Sequence, residues 1–178
     1  MKKIMKMMAM ALVAVAMTVG FAACSSSDDD NNGGGSSQPL VGKLKMGLTF
    51  SDDLLAIADI KITYTDSDGK TEKTEDITTT TFNKEITYTS LPVTTNYALQ
   101  ITLKSNYTEK DKYNLSIDTR GSAIYSTRGD GAIGLRQNTN FINTTGVKKE
   151  NLEKYLAVES VTKCKTFSAT ISKDGKVQ

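Results

Sequence analysis

The chain has 178 residues, the size of one ordinary domain, with 38% hydrophobic and 24% charged residues and a formal charge of +2. It has no His, no Trp and two cysteines, Cys24 and Cys164. These counts exclude a histidine-based catalytic triad, the commonest metal ligand, the basic footprint of a nucleic-acid binder and a framework of several disulfides.

The first element in chain order is a leader. Lys2, Lys3 and Lys6 make a basic start, residues 7–19 (MMAMALVAVAMTV) are continuously apolar, Gly20 breaks the run, and Phe21-Ala22-Ala23 lead to Cys24. A positive start, a short apolar middle and small residues at a cleavage point describe a secretory signal peptide over residues 1–23. The run falls short of the roughly 20 residues that span a bilayer. Losing its three lysines leaves 19 basic against 20 acidic groups, a charge of −1.

Phe21-Ala22-Ala23-Cys24 resembles the lipobox of bacterial lipoproteins, with Phe21 where Leu is usual. The resemblance implies cleavage before Cys24, diacylglycerol on its thiol and acylation of the new amino terminus. Several acyl chains make such an anchor stable where one is marginal. The lipid on Cys24 is then the only attached group expected, and the outer-membrane bilayer is the expected partner. Residues 25–32 (SSSDDDNN) resemble the acidic export signal of Bacteroidota surface lipoproteins, carried here by Ser27, Asp28, Asp29 and Asp30. That resemblance implies display on the cell surface. The alternative is a periplasm-facing lipoprotein of an envelope complex, with the aspartates only solvating a spacer. Residues 33–37 (GGGSS) have no side chains able to pack. Residues 24–39 are therefore expected to be a disordered acidic and Gly/Ser tether, and residues 40–178 the folded domain.

From residue 40 onward a period of two dominates. Leu44, Met46, Leu48 and Phe50 alternate with polar or small residues, as do Ile60, Ile62 and Tyr64. Tyr97, Leu99, Ile101 and Leu103 form a third run, and Tyr113, Leu115 and Ile117 a fourth. Each pattern predicts a strand with one face to a core and one to water. Asp66-Ser67-Asp68-Gly69, Arg128-Gly129-Asp130-Gly131 and Lys173-Asp174-Gly175 are turn signals between β-like segments. About eight short strands with frequent turns predict an all-β, antiparallel β-sandwich. One short helix is expected over residues 148–158, with Leu152, Tyr155 and Leu156 on one face, a Glu150–Lys154 pair, and Thr144 or Thr145 as cap. A final strand is expected over residues 161–171.

Leu91-Pro92 followed by Tyr97 at the start of an alternating strand resembles fibronectin type III and related immunoglobulin-like domains. The resemblance covers residues 61–104, and transthyretin-like sandwiches share much of the pattern. It implies an immunoglobulin-like sandwich in which Tyr97 is structural, its hydroxyl returning to upstream backbone as a tyrosine corner.

No residue pattern points to catalysis, so a non-catalytic module is expected. Asp52 and Asp53 are adjacent and read as loop decoration. Asp66, Asp68 and Gly69 look like the start of a calcium loop, but position 12 is Ile77, so a hairpin turn is expected. Arg128-Gly129-Asp130 is the tripeptide that integrins recognise, and it is also good turn chemistry. Cys164 is expected in the core, with Lys163 and Lys165 on the opposite face of its strand. Most tyrosines fall on the apolar phase, which disfavours a glycan-stacking platform. The expected function is a lipid-anchored, surface-exposed binding or assembly module.

Overall fold

A computed structural model describes residues 40–126 and 132–178. Eight strands form two four-stranded antiparallel sheets packed face to face, the all-β sandwich expected. One sheet has the order β4 (Thr81–Tyr88), β1 (Val41–Phe50), β6 (Lys112–Ser126), β7 (Ala132–Lys148). The other has the order β3 (Glu72–Ile77), β2 (Ala58–Thr65), β5 (Val93–Leu103), β8 (Thr166–Ile171).

The alternation in the sequence sets which side chains fill the gap. Leu44, Met46, Leu48 and Phe50 of β1 are buried, as are Ile60, Ile62 and Tyr64 of β2. Along β6 every second residue from Tyr113 to Tyr125 is buried, because its pleat turns that phase toward the second sheet. The hairpin between β2 and β3 follows its turn chemistry: Gly69 adopts φ +69°, and Gly69 N–H donates to Asp66 O at 2.9 Å. The β6–β7 pair also forms, while Arg128-Gly129-Asp130 and Gly131, between the two strands in sequence, lie outside the described residues.

The helices depart from expectation. A first one, α1 (Asp52–Ile57), was not signalled; it follows β1 directly and buries Leu54 and Ile57. Ser51 caps it, its hydroxyl accepting from Leu54 N at 3.3 Å and from Ser116 N at 3.0 Å. Asp52 and Asp53 therefore stand in a helical first turn rather than a loop. The C-terminal helical segment comprises a 3-10 turn (Lys149–Asn151), α2 (Leu152–Ala157) and α3 (Glu159–Cys164). Leu152, Tyr155 and Leu156 are buried as predicted. Thr144 and Thr145 belong to β7 and cap nothing; neither the 3-10 turn nor α2 has a side-chain cap bond. Glu150 lies 3.9 Å from Lys148, and the helical i,i+4 pair is Glu159–Lys163 at 2.8 Å.

The final strand is shorter than expected, because residues 159–164 are helical. Val161 and Cys164, three apart, share the buried side of α3. Strand alternation thus does not separate Cys164 from its flanking lysines. Lys163 reaches Glu159, and Lys165 Nζ donates to Leu156 O at 3.0 Å. Cys164 is nonetheless buried and unpaired, and burial holds its thiol above the usual range.

Six of the seven tyrosines are buried. The Tyr97 ring stacks on Phe167 of β8 with centroids 5.8 Å apart, and burial pushes its phenol up. The buried phenols that bond to upstream backbone are those of Tyr88, which donates to Thr65 O at 2.9 Å and lies 2.7 Å from Thr95 Oγ1, and Tyr155, which donates to Leu115 O at 3.4 Å.

Beneath that stack lies Gly121 of β6, where the backbone of one sheet comes directly against the rings of the other. A Cβ there would sit 2.6 Å from Phe167 Cγ and 2.9 Å from Tyr97 Cε1. Both rings are buried and braced against each other, so neither has space to retreat. Gly121→Ala is expected to destabilise the domain by about 1–3 kcal/mol, the cost of overpacking. Gly47→Ala, whose Cβ would point outward and meet Asn83 Oδ1 at 3.3 Å, is the control and should cost far less. Equilibrium urea unfolding of both variants measures the contrast; equal stabilities would refute this account of the contact.

Candidate functional site

The outer face of the β4-β1-β6-β7 sheet is built by the residues that alternate with the core. The pairing register sets them in rows across four strands. One row runs Thr87, Lys43, Ile124, Leu135, and the next Glu85, Lys45, Ser122, Gln137. The third is Asn83, Gly47, Arg120, Thr139, and the last Thr81, Thr49, Asp118, Phe141. The face therefore changes character from one side to the other: charged over β4 and β1, apolar over β7.

On the charged side Glu85 accepts from Lys43 at 3.1 Å and Lys45 at 3.0 Å. These contacts, Lys45 foremost, hold its carboxyl below the usual range. Arg120 pairs with Asp118 at 3.2 Å. The absence of a side chain at Gly47 leaves a shallow furrow of about 450 Å³, walled by Asn83, Glu85, Arg120 and Gln137. Its charges are largely satisfied by one another, so the furrow offers polar contacts rather than a concentrated field. On the apolar side Ile133, Leu135 and Phe141 project into solvent. Phe141 is the one ring largely exposed among the described residues. A face graded in this way suits a macromolecular surface, where an apolar patch is flanked by polar contacts.

The other charged clusters serve the fold. Asp53 accepts from Lys110 Nζ at 2.6 Å and Asn114 N at 2.7 Å, and Lys110 foremost lowers its pKa. It staples α1 to the start of β6. Glu75 of β3 meets Lys84 of β4 and accepts from the Tyr64 hydroxyl. Lys84 lies 4.7 Å above the Tyr64 ring. Burial alone would lower the Lys84 pKa, but Glu75 and Tyr64 outweigh it and raise it. This cluster latches an edge strand of one sheet to an edge strand of the other.

Asp66 and Asp68 are committed to their hairpin. Asp66 pairs with Lys73 at 2.7 Å, while Asp68 accepts from Lys70 N and Thr71 N, both at 2.8 Å, and from the Thr71 hydroxyl. Among the described residues no three His, Cys, Asp or Glu side chains are grouped to hold a metal ion. Nor is any helix among them long and apolar enough to cross a membrane. Cys24, Ser27, Asp28, Asp29 and Asp30 lie outside the described residues. The exposed β7 residues were not anticipated as a surface, since their alternation resembles that of a core face.

No protein-family model, no curated protein and no solved structure matches the chain.

The Thr71 hydroxyl, then the Thr71 and Lys70 amides, bring the Asp68 carboxyl from 3.8 down to about 2. A folded value below the unfolded one means that the turn contributes stability above pH 3.8, which is lost as pH falls toward about 2. Thr71→Val removes the largest contribution, so an NMR titration of the Asp68 carboxyl should show its pKa moving back toward 3.8. A midpoint unchanged by the substitution would show that the hydroxyl plays no part.

Proposed function

We propose that this protein is an outer-membrane lipoprotein, anchored by acyl chains on Cys24 and facing the cell exterior, whose β-sandwich is a non-catalytic binding or assembly module. The observation that carries the reading is the junction Phe21-Ala22-Ala23-Cys24-Ser25-Ser26-Ser27-Asp28-Asp29-Asp30. A short apolar run ends in small residues and a cysteine, and an acidic, glycine-rich stretch separates that cysteine from the first strand. A spacer of this composition holds a folded body clear of a bilayer without docking onto it. The body itself supports a binding role: its graded outer face is a surface for contact, and Asp53, Asp66, Asp68, Glu75 and Glu85 are engaged in pairs and turns.

The resemblance to Bacteroidota surface lipoproteins supports the outward orientation through Ser27, Asp28, Asp29 and Asp30. A periplasm-facing subunit of an envelope complex is the competing reading. A glycan-binding role has less support, because the rings that would stack on sugars are mostly in the core.

Mass spectrometry of the mature polypeptide from its native membrane is expected to show Cys24 as the first residue, carrying diacylglycerol and an N-acyl chain. An unmodified or differently placed amino terminus overturns the anchor. Protease added to intact cells is expected to remove the sandwich, and replacement of Asp28, Asp29 and Asp30 by Ala to protect it. Protection of the unaltered protein would favour the periplasmic reading.

A further inference from the structure

An edge strand offers unpaired N–H and C=O groups to any other strand unless something guards it. Four strands stand at edges here, β4 and β7 in one sheet and β3 and β8 in the other. Three are guarded. β3 has four charged residues in six: Glu72, Lys73, Glu75 and Asp76. β4 points Lys84 inward onto Glu75 and Tyr64. β8 is partly covered by the chain's own Gln178, which exchanges backbone bonds of 2.7 and 3.0 Å with Thr170.

β7 is guarded only lightly: Arg136 alone is a charge on its inward phase, and its register irregularities fall near its two ends, leaving residues 134–144 regularly paired to β6. It runs 17 residues, and among the described residues it pairs with β6 alone. It contains no proline, and Arg136 is its only charge before Lys148. Its outer face presents Ile133, Leu135 and Phe141, which are 60%, 55% and 67% exposed.

We propose that β7 is the docking edge for a second copy of this chain. The two β7 strands pair antiparallel about a two-fold axis at Asn138, and two four-stranded sheets become one of eight strands. The strand's own sequence favours this occupant and register. Centred on Asn138, the pairing sets Leu135 opposite the partner's Phe141 and Phe141 opposite the partner's Leu135. Ile124 of β6, which neighbours Leu135 in the sheet, extends each apolar row. On the other face Arg136 meets the partner's Asn140, Asn138 meets its own equivalent, and no like charges stand opposite one another. Centred one residue earlier, the pairing would leave Leu135 against Thr139 and put Ile133, beside the irregularity at the end of β6, against Phe141. A two-fold contact requires one patch to complement itself, and this strand does so. Residues 25–39 of the same chain are a poor alternative, since SSSDDDNNGGGSSQP has no β-branched, aliphatic or aromatic side chain to cover Leu135 or Phe141. The proposal does not depend on the lipid anchor.

Sedimentation velocity on the full chain in mild detergent, from about 1 to 100 µM, tests it across the range of a modest interface. A concentration-dependent monomer–dimer equilibrium is expected. The Leu135→Lys/Phe141→Lys variant should weaken it about tenfold or more, as loss of the central apolar contacts requires. Lys43→Ala, on the charged side of the same face, should leave it unchanged, and circular dichroism establishes that each variant is folded. In parallel, Asn138→Cys should form a disulfide-linked dimer under mild oxidation, mapped by mass spectrometry to residue 138 of both copies. Paired strands bring Cα atoms to about 4.5–5.5 Å, within disulfide reach. Asn143→Cys, set opposite Ile133 in this register, should not cross-link. A chain that stays monomeric, a double-lysine variant that dimerises as tightly as the parent, or equal cross-linking at residues 138 and 143 overturns the proposal.

Discussion

The narrow gap between the sheets at Gly121 is the constraint from which the rest follows. Tyr97 and Phe167 stack where a Cβ would otherwise project, so the two layers meet through rings against bare backbone. Close packing of this kind leaves no slack: a methylene added on one side must be taken up on the other. It also fixes the phase of every strand in the β4-β1-β6-β7 sheet. With Gly121 inward, Met46 beside it is inward, and Arg120, Gly47 and Thr139 are outward by pleat alone. The composition of the outer face is therefore a consequence of the core.

That outer face differs from the core in what balances it. Its charged side is internally paired, Glu85 with two lysines and Asp118 with Arg120, and such exposed pairs contribute little to stability. Its apolar side has no such compensation within the described residues. The edges differ in the same sense. The β3–β4 flank is charged and cross-latched through Glu75 and Lys84, and the β7 flank is long, uncharged for most of its length and apolar on its outer surface. The molecule thus has one flank built against association and one that permits it.

Much of the fold was legible because most strands have one wet and one dry face. β1, β2, β5 and the first half of β6 declare themselves by strict alternation, and Asp66-Ser67-Asp68-Gly69 declares its turn. The helices were harder. α1 is only six residues long, so Leu54 and Ile57 show no repeat that separates a helix from a strand end. At residues 161–165 the strand phase would have put Lys163 and Lys165 inward beside Phe167 and Ala169. Those two lysines were the available sign that β8 begins at Thr166 and that Val161 and Cys164 follow a helical spacing. The apolar face of β7 was illegible for a different reason. A period of two reveals that a strand has two unlike sides, but which side is covered depends on the neighbouring sheet. Tyr97 was expected to open its strand, but β5 begins four residues earlier at Val93, and the hydroxyl-to-backbone bond expected of Tyr97 is made instead by Tyr88, because the turn after β4 brings that phenol beside Thr65 and Thr95.

The enclosure of Cys164 under α3 has a chemical consequence. Cys24 stands ahead of the first strand, so the sandwich carries a single thiol, and that thiol is sealed in the core. Its hold on the native state owes nothing to a sulfur–sulfur bond. The same packing therefore forms in reducing and oxidising surroundings alike, with no disulfide to be shuffled and no redox-labile clasp for the environment to undo.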